Sequence, residues 1–539
     1  LTVAATAARF TCSSRLHDAP LGPEPHFLYF LGLFSFSIVT SSAYSRRLFL
    51  DTPPPHTTPL RCTGKIVNAD STVEGDVLIL AGKVAAVGAG LSASAADHIP
   101  AGIRVIDAAG KYVIPAGIDP HTHMQLPFMG TVAADDFYTG TRAAVAGGTG
   151  TIIDFVIPSP DETLLQGLDK WQGWARDKVC CDYAFHMAVT HWVDGETDAE
   201  MASVVREHGI TSFKHFVAYK GALMLGEAGM RKSYAAARDL GAIVTNHCEN
   251  GDMVEAGQAA MKAAGILTPA GHPQSRPPAV EGAATAWVAK LAGETGVPAY
   301  VVHTTCGDAA EEIRKVRAAG QKVFGEVLAG HLVFDDSKYY CDDFDTAAGH
   351  VMSPPFRPPA HQEALWAAIG DRTIQTTATD HCAFTRAQKR MGLHDFTQIP
   401  NGCTGVEERM AVVWSKGVGE GRITPEEFVA LTSANTAKIF GLYPRKGLIA
   451  PGADGDVVIW DPTAEKTWGV ATHLSAIDFS VYEGHKTTGG CAVTVLRGEV
   501  VYEDGAVKEG LQGRGQYVKR EAFTPHVYGE GAKLDLTIA

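Results

Sequence analysis

The chain has few of the features that mark a secreted, membrane-spanning or nucleic-acid-binding protein. Its ten cysteines are scattered, with no CxxC pair and only Cys180 and Cys181 adjacent. That excludes a zinc knuckle or a disulfide framework and reads as reduced, intracellular thiols. There is no long run of Lys and Arg, and a formal net charge of −14 with a pI near 5.8 argues against nucleic acid or an acidic membrane surface as partner. No internal repeat and no long low-complexity stretch is present. The apolar run FLYFLGLFSFSIVT at 27–40 falls short of the ~20 residues of a spanning helix, so no stable membrane insertion is expected. Residues 1–63 are expected to form an N-terminal extension open to three readings. It is a secretory signal core with small residues at 41–45, or an organelle-targeting peptide poor in acids, or, with no methionine before Met124, a stretch whose start is no natural initiation site. The expected location is the cytoplasm, or a secretory or organellar compartment if the extension is a targeting segment.

What is present fits a large enzyme. At 539 residues and 45% hydrophobic content the chain can bury a sizeable core. Eight short apolar stretches with little alternation read as buried parallel strands, at 112–119, 150–157, 183–190, 211–218, 242–247, 299–303, 322–327 and 373–379. Segments of helical content lie between them, for example 135–147, 199–208, 230–240 and 308–318, and Gly or Pro marks most junctions. The expected fold class is therefore α/β, a (β/α)8 TIM barrel. Residues 64–88, 452–461 and 491–504 read instead as short strands with turns, which predicts a small β-sandwich domain built from both chain ends. The expected layout is 64–114 for the first part of the sandwich, 115–443 for the barrel and 444–512 for the rest of the sandwich. Residues 513–539 form a C-terminal arm, lying on this or a neighbouring subunit or simply loose.

Six residues at or near the ends of those strands make a ligand set for two divalent metals: His121, His123, Lys214, His247, His303 and Asp380. Barrel chemistry sits at the C-terminal strand ends. Two histidines spaced as HxH share one face of a strand, although HTH alone is as often a pair of core histidines. A lysine in the apolar stretch SFKHF is expensive to keep charged; its neutral amine can take up carbon dioxide as a carbamate, a two-oxygen bridge between metals. The competing reading pairs Lys214 with a buried acid such as Asp154. Asp380 in TDHCAF can take the proton of a metal-held hydroxide and pass it to a leaving nitrogen. His381, next in the chain, is expected to point the other way.

The motifs GIDPHTHMQLPFMG, SFKHFVAYKG, HCENGD, YVVHTTC, VMSPPFRP, TDHCAF and IPNGCTGVEERM resemble those of the cyclic amidohydrolases, specifically the dihydropyrimidinase and D-hydantoinase family, over residues 64 to 504. The resemblance implies two zinc ions per subunit held by His121, His123, His247, His303 and Asp380. They are bridged by N6-carboxylysine at Lys214 and by a hydroxide. It also implies that Tyr219 donates to the oxyanion, that Ser353 and Asn401 hold the imide or ureide edge of a small-molecule cyclic ureide, and that the subunits form a homotetramer. The implied reaction is hydrolytic ring opening of 5,6-dihydrouracil and dihydrothymine to N-carbamoyl-β-amino acids, with hydantoins as further substrates. Phe128, Phe216 and Leu223 lie beside these motifs and read equally as pocket lining or core. Asn246, Cys248 and the neighbours of His303 depart from the family's smaller or more apolar residues. Rival readings are an allantoinase- or dihydroorotase-like ring hydrolase, and a non-catalytic scaffold relative. Dihydroorotase would need a cation for its substrate carboxylate, and no arginine accompanies the HxH motif; a scaffold should lack one or more of the six residues.

Overall fold

The computed structural model describes residues 59–91 and 103–529. The apolar run at 27–40 and most of the expected extension lie outside the described residues. Eight parallel strands wind in sequence order into a nearly closed barrel. They are Gly117–Thr122, Thr149–Val156, Asp182–Ala188, Ser212–Phe216, Ile243–His247, Ala299–Val301, Val323–Leu328 and Thr376–Ala378. They coincide with the eight expected stretches save at the first. The run at 112–119 spans two elements: Arg104–Pro115 belongs to the second sheet, and the barrel begins at Gly117. Both pieces are apolar and one residue apart, so hydrophobicity alone could not divide them.

The barrel's two edge strands meet at a seam. His123 donates its main-chain N–H to the His381 carbonyl at 2.9 Å. Arg409, fully buried, donates to the Ile118 carbonyl at 3.0 Å and the Thr377 carbonyl at 2.8 Å, one on each side. The guanidinium thus supplies donors where the ladder is incomplete. Helices cover the outside. Phe137–Ala146 starts from an Asp136 capping box, and Pro278–Thr295 and Pro359–Gly370 carry proline in the first turn, where its missing N–H costs nothing.

The barrel interior is apolar at its N-terminal end. Ile118, Ile153, Ile243, Tyr300 and Phe324 pack there with Ile439 and Phe440. Residues 513–529 run beneath this plug on the same chain. Val518 donates its main-chain N–H to the Tyr183 carbonyl at 2.8 Å and Phe523 to that of Gly241 at 2.9 Å, while Val518 and Val527 join the plug. The C-terminal strand ends are left for polar residues.

The second sheet has eight strands, mostly antiparallel, and draws on both ends of the chain. Arg104–Pro115 pairs on one side with Leu60–Val67 and on the other with Val457–Thr467. Cys62, Val77, Ile79, Val113, Val457 and Val495 form its separate core. A buried ionic knot ties it to the barrel. The Lys446 ammonium lies 2.8 Å from Asp182, 2.5 Å from Asp456 and 3.2 Å from Asp454, and Arg497 pairs with Asp182 as well. Among the described residues no helix is long and apolar enough to cross a membrane.

Candidate active site

The polar residues at the C-terminal strand ends converge on one cleft of about 450 Å3, measured to its open mouth. His121, His123, Lys214, His247, His303, Asp380, Tyr219, Ser353 and Asn401 all line it, and Phe128, Phe216 and Leu223 wall its apolar side. The strand pleat explains the convergence. His121 on the first strand, Lys214 and Phe216 on the fourth, and His247 on the fifth point inward. Their neighbours His215 and Asn246 turn outward, to Ser233 and Tyr234 of the helix Glu227–Asp239. The unusual Asn246 therefore packs behind the wall of the cleft.

Two groups of donors face each other. The Nε2 atoms of His121 and His123 each stand 3.1 Å from Asp380 Oδ1, and these three residues form a candidate metal-binding group. Nδ1 of His247 lies 3.0 Å from Nε2 of His303, two ring nitrogens converging on one point. Carboxylates fix the rings of His121 and His247 from behind. Glu326 Oε1 is 2.8 Å from Nδ1 of His121 and accepts the His303 main-chain N–H at 2.9 Å. Glu249 Oε2 is 2.9 Å from Nε2 of His247 and accepts from Arg276 at 2.8 Å. A carboxylate only accepts, so the rear nitrogen of each ring is fixed as a donor and the front nitrogen is the one a cation would take as ligand, displacing any proton it carries. His121 Nε2, buried, finds no hydrogen-bond partner there. Such a donor set fits a divalent cation.

The electrostatics agree with that. Burial opposes charge on His121, yet the carboxylates of Asp380 and Glu326 prevail and raise it to about 9. At His123 burial prevails and lowers it to about 4. Asp380 is buried but held far below the usual carboxylate range by the two histidines. Carboxylates strong enough to keep a proton on a buried imidazole are carboxylates arranged for a cation.

Lys214 lines the same cleft, 1% exposed, its ammonium 4.6 Å from the centre of the Phe155 ring and 5.1 Å from that of Phe216. Burial lowers its amine to about 8 against the pull of Asp380 and Glu326. Asp154, the alternative partner, instead accepts from the Thr122 hydroxyl at 2.8 Å and the Met124 amide at 2.9 Å. Tyr219 is raised to about 12 by burial, so its phenol keeps its proton. Asn401 Nδ2 donates to the Ser353 hydroxyl at 2.9 Å. His381 faces away, its Nε2 2.9 Å from Asp135. The backbone is left-handed at His303, Asp380 and Tyr219, with φ of 40°, 50° and 62°. Non-glycine residues rarely adopt this region, and such strain gathers at functional sites.

Glu326, Glu249 and Arg276 escaped the sequence reading. A signal existed for the first: an acid inside the apolar stretch VFGEVL is as costly to bury as Lys214 and needs a partner for the same reason.

Fold and cleft together define a barrel enzyme with a candidate metal centre. A model of the amidohydrolase family matches residues 112–501. Dihydropyrimidinase of Rattus norvegicus is 43% identical over 475 residues, covering 88% of this chain and 91% of the relative. D-hydantoinase of Geobacillus stearothermophilus is 42% identical over 467 residues, covering 86% and 97%. The crystal structure of dihydropyrimidinase from Brevibacillus agri NCHU1002 matches with a TM-score of 0.83 at 40% identity, covering 86% of this chain and 99% of that one. The chain belongs to the amidohydrolase family, and within it groups with the dihydropyrimidinases and hydantoinases, hydrolases of cyclic amides.

Proposed function

We propose that this enzyme opens the ring amide of 5,6-dihydrouracil and dihydrothymine to give N-carbamoyl-β-amino acids, and accepts hydantoins. One observation carries the reading: the two donor groups and Lys214 share a cleft with Tyr219, Ser353 and Asn401. The 43% identity to a dihydropyrimidinase supports the choice of ring.

His121, His123 and Asp380 would hold one zinc ion, and His247 and His303 a second, with Lys214 carboxylated on its amine as the bridge. When bound, the pair would supply an activated water at neutral pH and polarise the ring carbonyl. Asp380 takes the attacking water's proton and delivers it to the ring nitrogen as the C–N bond breaks. Tyr219, protonated and lining the cleft, donates to the oxygen that gains charge. Ser353 and Asn401 hold the imide or ureide edge, and Phe128, Phe216 and Leu223 cover the ring's apolar side. The family resemblance also supports a cytoplasmic homotetramer; light scattering on the purified chain tests the tetramer.

Loss of ultraviolet absorbance of 5,6-dihydrouracil tests the function. Metal-loaded wild type should turn it over and Lys214→Ala should not. A metal-loaded wild type inert towards dihydrouracil and hydantoin alike would overturn the assignment.

A further inference from the structure

Lys389 takes no part in the chemistry above, yet it is among the most enclosed cations of the described residues. It ends the short helix Arg386–Lys389 and is 1% exposed. Burial pulls its amine down to about 8 against the nearby thiols of Cys403 and Cys382. Its charge is also felt by the imidazoles of His272 and His350, and among the described residues no carboxylate pairs with it. Its ammonium donates to three main-chain carbonyls, those of Val351 and Pro400 at 2.7 Å and Gly402 at 2.8 Å. These carbonyls belong to the two segments that bring Ser353 and Asn401 to the cleft. The Val351 carbonyl also accepts the Gly402 amide at 3.0 Å, and the Asn401 amide group reaches Ser353 on the cleft side. The two segments are thus joined on both sides of the ammonium.

An ammonium has three protons and no acceptor, and here every proton meets a peptide oxygen. Among the described residues no anion pairs with the charge; three peptide dipoles meet it, and the Phe384 ring lies 5.8 Å away. The Pro400 carbonyl and the Asn401 N–H belong to one peptide unit. Electron density drawn towards that carbonyl by a cation leaves the N–H a stronger donor.

We propose that Lys389 is a positioning residue for the substrate, setting the spacing of the Ser353 and Asn401 segments and polarising the Pro400–Asn401 peptide that meets the ring's imide or ureide edge. The inference rests on the reading of the cleft as a cyclic-amide site. Methionine at 389 would fill much the same space while leaving three carbonyls without their donor. The loss falls on ring binding and spares the proton transfers of Asp380.

The test is steady-state kinetics of full-length, metal-loaded Lys389→Met and Lys389→Gln with 5,6-dihydrouracil and hydantoin, alongside metal content and thermal unfolding. The methionine variant should raise KM by about tenfold, the glutamine variant by less, with kcat within about threefold and bound metal unchanged. An unchanged KM in a folded, metal-loaded methionine variant overturns the proposal. So does a joint fall of kcat and metal content, or failure of both variants to fold, each of which makes Lys389 a structural clamp only. A wild type that turns over neither ring is a distinct failure, of the cyclic-amide reading itself, and removes the proposal with it.

Discussion

Glu326 and Glu249 touch no substrate, yet each decides which nitrogen of a histidine faces the cleft. Glu326→Gln and Glu249→Gln keep the shape and remove the charge, so either ring can turn its proton inward. Metal affinity should fall by ~10–100-fold in each variant, read by competition with a chromophoric chelator; equal affinity in wild type and variants would deny them that role. The cleft residues were legible in the sequence because each ends or follows an apolar run, and barrel topology sends all such ends to one mouth. The residues behind them were not. Arg276 meets Glu249 from a separate loop, and no local pattern ties 276 to 249. Lys389 was hidden for another reason: its partners are carbonyls, which every residue carries.

Among the elements, the junction between barrel and second sheet depends on Lys446. Removing the ammonium by Lys446→Met leaves Asp182, Asp454 and Asp456 facing one another in a buried site. Breaking one side of such a pair costs ~3–5 kcal/mol, which urea unfolding should report as a lowered midpoint. The same knot gives an acid limit. Burial raises Asp454, but Lys446, Lys83 and Arg445 outweigh it and hold the carboxyl at about 2, against ~3.9 in an unfolded chain. Its contribution is complete above pH ~4 and disappears as the pH falls through about 2. Wild type should therefore lose stability steeply across that window, and a Lys446→Met profile should be flatter there. Strand positions were read from the sequence almost to the residue at 299–303 and 242–247. The first strand was not, since Arg104–Pro115 and Gly117–Thr122 share one apolar texture and differ only in which sheet they join.

At the scale of the molecule, the barrel is closed below by residues from beyond its own last strand. Truncation after residue 512 would strip Val518 and Val527 from the plug and take away the bond from Arg520 to the Ser212 hydroxyl. Each buried apolar side chain lost costs ~1.5–3 kcal/mol, so the truncated protein should melt well below wild type; an unchanged Tm would show that the arm merely rests there. The arm was read from sequence only as lying on a subunit or loose. Most of its hydrogen bonds to the barrel end on main-chain carbonyls, such as those of Tyr183, Gly209 and Gly241, and hydrophobic periodicity does not record those.

The second sheet also imposes a timetable. The Asn68 side chain donates to the carbonyl of Ile449, a residue 381 positions further along the chain, and the strand Arg104–Pro115 meets Val457–Thr467 only after that. At ~5–20 residues per second of synthesis, the early strands wait roughly 20–80 s for their neighbours. Through that interval an apolar strand edge stands open on the nascent chain, ready to pair with another copy. The ribosome's pace sets how long that hazard lasts, and a faster-translated message would shorten it.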